Sequence, residues 1–152
     1  LSLLISGSDK TSESKYLIGR FVRPKARVAF AAAITKFASA AIDLSDGLYA
    51  DLQKLLMASK VGAKVELELL PLSAEILAKF YYDKATNFAL AGGDDYELCF
   101  AVPQSKDAEI HALAKKNQLQ VARIGEVISG SGIVCTKDGA PFEYTDPGYR
   151  HF

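Results

Sequence analysis

"AAIDLSDGLYADL", residues 40–52, is the stretch on which the reading of this chain turns. A short apolar run, Ala40 to Ile42, closes on Asp43. Ser45, Asp46 and Gly47 follow, and leucines then recur at helical spacing around Asp51. Such a passage is a strand, a tight turn and the mouth of an amphipathic helix. Two roles fit the acids at that mouth. Ser45 or Asp46 can cap the helix, accepting from the N–H groups that its first turn leaves unpaired, and an acid there sits well against the positive end of the helix dipole. Alternatively, Asp43 and Asp46 turn toward one point beyond the strand end and share a cation. Hard carboxylate oxygens suit Mg²⁺, which takes one or two of them together with substrate phosphates. The motif by itself leaves both roles open.

Outward from it, the pattern predicts helices and short strands in alternation. Ser12 to Phe21 and Ala26 to Phe37 read as two helices parted by "RPK", where Pro24 disfavours a continuous helix. Residues 39–43 read as a short buried strand, and Asp46 to Ser59 as an amphipathic helix with Leu48, Leu52, Leu55 and Leu56 on one side. The chain is then predicted to turn at Gly62 and to run as a strand through Val65, Leu67 and Leu69 until Pro71. Helices are expected after Ser73, around Lys84 to Leu90, and from Ser105 to Asn117. Tyr96 to Val102 reads as a strong central strand, with two further strands in "VARIGEVI" and "GIVCTKDG". The tail "EYTDPGYRHF" is aromatic and irregular. Elements in this order give an α/β (α+β) fold, a mixed sheet with helices packed against it.

The whole chain narrows the function classes. Its 152 residues suffice for one domain with a sizeable core. Lys plus Arg balances Asp plus Glu at 18 each, which argues against a nucleic-acid footprint. No run approaches the ~18 apolar residues of a membrane span, and no signal-peptide pattern opens the chain, so neither nucleic acid nor membrane is an expected partner. Cys99 and Cys135 lie in strand-like runs without a CxxC or a neighbouring His. They read as small buried residues in a reducing cytoplasm. His111 and His151 stand too far apart to indicate a metal site and read as surface or packing residues. Neither G-x-G-x-x-G nor the Walker loop is present. The opening "LSLLISGSDKTSESK" completes no structural unit and reads as part of something longer.

Four stretches in order, "AIDLSDGLYADL", "GAKVELELLPLS", "ALAGGDDYELCFAVP" and the final "GYRHF", resemble the C-terminal half of the thiamine-monophosphate kinase family, with "RPKARV" correctly placed ahead of the acidic motif. That family belongs to the aminoimidazole ribonucleotide synthetase-like superfamily. The resemblance runs from about Tyr16 to Phe152. It implies ATP-dependent phosphorylation of thiamine monophosphate to thiamine diphosphate, with Mg²⁺ as cofactor. Asp43 and Asp46 would be metal ligands and Ser45 an ATP contact. Asp94 and Tyr149 would contact the substrate, and no side chain would serve as a catalytic base. The acceptor is a phosphate oxygen whose second pKa is about 6, so catalysis reduces to positioning and charge neutralisation.

The family usually shows "GGEDYEL" where this chain has "GGDDYEL", so Asp94 would take its role one methylene shorter. Asp95 and Glu97 also suit turn and strand-edge hydrogen bonds, and Tyr149 also suits a tail ring covering apolar surface. The resemblance further implies that residues 1–152 form one C-terminal domain, with 1–15 belonging to an interdomain region. The ATP-, Mg²⁺- and dimer-forming N-terminal domain would lie outside the chain, and the full-length protein would be a homodimer. Another ATP-dependent enzyme of the superfamily, or a non-catalytic binding or assembly module, are the rival readings.

Overall fold

The computed structural model describes residues 10–144. Thr11 caps the first helix, α1 (Ser12–Val22), by accepting from the Ser14 N–H. Pro24 follows, and α2 (Val28–Ile34) begins after Arg27. Strand β1 (Ala40–Asp43) leads through the acidic turn into α3 (Leu48–Ser59). Lys60 ends α3 in the left-handed conformation and sends the chain into β2 (Gly62–Glu66). Two short helices come next, α4 (Ala74–Lys79), capped by Ser73, and α5 (Tyr82–Ala91). Strand β3 (Leu98–Ala101) precedes α6 (Asp107–Lys116), and β4 (Gly125–Ile128), β5 (Gly132–Lys137) and β6 (Ala140–Phe142) complete the described chain.

The strands form two sheets. β1 and β3 make an antiparallel pair in which Ala40 faces Ala101 and Asp43 faces Leu98. The other four run in the order β4-β2-β5-β6, with β2 antiparallel to β4 and parallel to β5. Each sheet has its own core. Leu48, Leu52 and Leu56 of α3 pack with Leu90 of α5 onto Ala63, Val65 and Cys135 of the mixed sheet. Phe30 and Ile34 of α2 meet Ile110 and Ala114 of α6, flanked by Leu98 and Phe100 of β3. Each buried leucine contributes about 1.5–3 kcal/mol by leaving water, so the α3 face alone is a substantial share of domain stability.

The mixed sheet with packed helices matches the predicted α+β class, and four local expectations are corrected. The strand foreseen over 96–102 shrinks to Leu98–Ala101 and lies in the two-stranded sheet, half-buried throughout, because Tyr96 takes a positive φ of 50° that no strand accommodates. β1 is likewise half-buried, its residues alternating between partial and full exposure. Gly62 begins β2 instead of turning the chain, and Leu67–Leu69 forms a 3₁₀ turn that buries Leu67 and exposes Leu69. A strand would have put both leucines on one face. The short edge strand β6, which carries Pro141, had no counterpart in the sequence pattern. Cys99 and Cys135 are free thiols, and no helix among the described residues is long and apolar enough to cross a membrane.

Candidate active site

The acidic turn between β1 and α3 is organised from within. Asp51, one turn into α3 and 1 % exposed, reaches back so that its Oδ2 accepts from the N–H groups of Ser45 at 2.8 Å and Asp46 at 2.9 Å. Its Oδ1 accepts from Lys54 Nζ at 2.7 Å, and the same ammonium holds Asp46 Oδ2. The helix itself starts at Gly47, with a φ of 105° and no side-chain cap. The N-cap position is thus Gly47 and not Ser45 or Asp46. Their side chains stand at its mouth, while Asp43 is exposed at the end of β1.

A second loop closes on the first. The Asp94 N–H donates to Ser45 O at 2.9 Å and the Tyr96 N–H to Leu44 O at 2.8 Å, while the Leu44 N–H donates to Glu97 O at 2.9 Å. These bonds extend the β1–β3 ladder past its regular end and lock "DLSDG" to "GGDDYEL", backbone against backbone. The approach tolerates only glycine at two points. A Cβ on Gly93 would lie 2.6 Å from Ser45 O, and one on Gly47 would lie 2.9 Å from backbone atoms of Leu90 and Ala91. Asp94 itself has a φ of 65°, in the left-handed region that Asp and Asn enter more readily than other residues.

The flank of this loop is charged. Glu97 receives Arg27 Nε at 2.8 Å and the guanidinium groups of both Arg20 and Arg27, tying α1 and the start of α2 to the foot of β3. Burial pushes the Glu97 carboxyl upward, but the two arginines outweigh it and hold it below the ordinary glutamate value. Asp95 has no such pair. Partial burial and then the Glu97 charge raise its pKa, although its outer surface meets water. Beneath the turn, burial lifts the Cys99 thiol to about 11, with the Asp51 charge adding to the effect.

The structure thus brings Ser45, Asp46 and Asp94 to one seam, with Asp43 at the strand end beside it. Tyr149 lies outside the described residues. Tyr144, the last described residue, packs its ring on Tyr49 of α3, centroids 4.8 Å apart. Arg20, Arg27 and the anchoring use of Asp51 were missed by the sequence reading. A buried acid inside an otherwise apolar helical stripe is the signal that could have flagged Asp51. Asp43 and Asp46 offer the hard oxygen donors that Mg²⁺ takes, and two carboxylates are as many as that ion commonly draws from a protein. Among the described residues no group of three or more His, Cys, Asp or Glu is arranged to hold a metal. A surface depression of about 500 Å³, lined by Gln53, Met57, Lys60 and residues 130–132, lies at the other end of α3 and away from these groups.

Comparison with known proteins supplies a context for the seam. Residues 6–138 match the family model described as AIR synthase related protein, C-terminal domain. A thiamine-monophosphate kinase of Haemophilus influenzae is 38% identical over 99% of this chain and 47% of its own length. One from Aquifex aeolicus is 37% identical over 90% of this chain and 41% of its own. Among solved structures, thiamine-monophosphate kinase from Stenotrophomonas maltophilia superposes with a TM-score of 0.84 at 35% identity, covering 91% of this chain and 45% of that one. AaThiL complexed with AMPPCP and TMP gives 0.79 at 32% identity, covering 99% and 45%. The chain spans about half the length of the relatives it matches.

Proposed function

The chain belongs to the AIR synthase related family through its C-terminal domain, and on that premise we propose that it is the C-terminal half of an ATP-dependent kinase converting thiamine monophosphate to thiamine diphosphate. The observation that carries this reading is the backbone lock between Ser45 and Asp94, which makes one site of two separate motifs. Support comes from relatives named thiamine-monophosphate kinase and from a structural neighbour bound to AMPPCP and TMP.

In this reading Asp43 and Asp46 hold Mg²⁺, and the Ser45 hydroxyl meets the ATP phosphates. The metal supplies charge neutralisation across the transferring phosphoryl group. The chain's own work is to fix the turn and to keep Asp94 beside it. The acceptor phosphate is already ionised near neutral pH, so none of these residues has to take its proton. Asp94 and Tyr149 face the organic part of the substrate, where a fixed thiazolium cation favours a carboxylate and an aromatic ring. Work in the cytoplasm and a homodimer of the longer protein belong to the same reading.

A chimaera tests it. This chain replaces the matched segment of the Haemophilus influenzae relative, and ATP, Mg²⁺ and thiamine monophosphate are supplied. Thiamine diphosphate is the expected product. A folded chimaera that binds ATP yet leaves thiamine monophosphate unchanged, under conditions where the relative turns over, sinks the proposal.

A further inference from the structure

We infer that Asp51 is a positioning residue, the internal anchor that fixes the Ser45–Asp46 turn and so sets how Asp46 meets a divalent cation. The inference deepens the function proposed above and rests on it for the metal. The geometry is that of an anchor. One carboxylate oxygen of a side chain 1 % exposed takes both turn N–H groups, at 2.8 and 2.9 Å, while the other takes Lys54 at 2.7 Å. Both acceptor oxygens are thereby used, which is what a buried carboxylate requires.

Gly47 at the helix start has no side chain with which to hold the turn, and Asp51 reaches back from inside the helix to do so. Asp51 also sets the charge on the turn. Through Lys54 it is coupled to Asp46, so one ammonium spans the buried acid and the proposed ligand. A cation arriving at Asp46 must share that carboxylate with Lys54, and Asp51 decides where Lys54 stands. Groups that orient a metal's ligands from behind typically change metal affinity or activity by ~10–100-fold when lost.

Two substitutions separate the possibilities. Asp51→Ala removes both bonds to the turn. Asp51→Asn keeps an oxygen for the two N–H groups but turns an amide N–H₂ toward Lys54. Amide hydrogen exchange on the chain itself is the first measurement. Asp51→Ala should speed exchange at Ser45 and Asp46 by on the order of 10-fold or more. Val65 and Leu56 in the core should keep their protection, and Asp51→Asn should stay close to wild type at the turn. The second measurement is Mg²⁺ titration of the chimaera. Its half-saturating concentration should rise by ~10-fold in Asp51→Ala and by less in Asp51→Asn, with the KM for thiamine monophosphate moving little. Unchanged protection at Ser45 and Asp46 overturns the inference. So does a uniform loss of protection across the chain in both variants, or a Mg²⁺ midpoint equal to wild type in Asp51→Ala. A wild-type chimaera without kinase activity defeats the proposed function instead, and the exchange measurement then still decides whether Asp51 anchors the turn.

Discussion

Asp46 and Asp43 are held differently, and that difference shapes what their removal should do. Lys54 already binds Asp46, whereas Asp43 stands exposed where β1 ends. Asp43→Asn and Asp46→Asn preserve shape and remove charge, so in the chimaera each should lower turnover and raise the Mg²⁺ requirement by ~10-fold or more. Because the helix begins at an uncapped Gly47, such a loss cannot be assigned to a broken cap. Wild-type Mg²⁺ titrations for both variants would remove them from the metal site. At Asp94 the backbone adds a condition. Its φ of 65° penalises Ala and Glu by roughly 1–2 kcal/mol but spares Asn. Asp94→Asn is therefore the cleaner test of the charge. It should raise the KM for thiamine monophosphate more than it lowers kcat and leave the KM for ATP alone. A loss confined to ATP would place Asp94 at the other ligand. Cys99 gives a check independent of function. With its pKa raised to about 11 it remains a thiol at pH 8, so alkylation of the folded chain should be far slower there than after unfolding. Equal rates would mean that the thiol is not held beneath the turn.

The loop at the foot of β3 carries two acids with opposite responses to pH. Glu97 is depressed in the folded state by Arg27 and Arg20. Its contribution is present above the ordinary glutamate value of 4.5 and is lost as pH falls through the folded pKa. Asp95 is raised, so it opposes folding once pH exceeds its ordinary 3.8, and acid relieves that penalty. Glu97→Gln should then lower Tm by ~3 °C at pH 7, the scale of about 1 kcal/mol in a domain of this size, and by much less near pH 3. Asp95→Asn should raise Tm at pH 7 and do nothing near pH 3. Parallel pH dependence in the two variants would contradict the assignment. The same loop shows where sequence reading stops. Helix α3 was legible because Leu48, Leu52, Leu55 and Leu56 recur at helical spacing. The Gly92–Tyr96 passage was legible only in part, since Asp95 suits a turn but Tyr96 reads as part of the following strand. Its partner is Leu44–Ser45, some fifty residues earlier, and a pairing of backbone groups leaves no periodic trace in side chains. Arg20 and Arg27 drew no role from the sequence for the same reason, since Glu97, which unites them, is distant in sequence. Leu67 and Leu69 alternated like a strand, but burial of Leu67 against the α3 core decided their conformation locally.

At the scale of the molecule, two cores share one junction. The α3 core and the α2–α6 core meet where β1 enters the acidic turn, because β1 pairs with β3 on one side and leads into α3 on the other. The site therefore rests on both cores, and loosening either should disturb it. Ile34 is 1 % exposed in the α2–α6 core and touches none of the proposed ligands. Ile34→Ala should cost about 2–5 kcal/mol of stability. If the cores unfold as one unit, its thermal transition should stay single and simply move to lower temperature. If they are independent, the variant should show two steps, the first without change at Cys135 in the mixed sheet. Alkylation of Cys135 along the melt distinguishes these outcomes, since its thiol is buried in the folded chain. We expect the single transition, because β3 lends Cys99 to the α3 core and Leu98 and Phe100 to the α2–α6 core. The intact chain should accordingly unfold cooperatively alone and yet make no thiamine diphosphate. Phosphoryl transfer requires a clamp of several cations and donors around the nucleotide, and in the proposed function the described residues offer to it only a short acidic turn. Thiamine diphosphate formed by the purified chain, free of contaminating kinase, would show that the turn and its neighbouring loop suffice for catalysis.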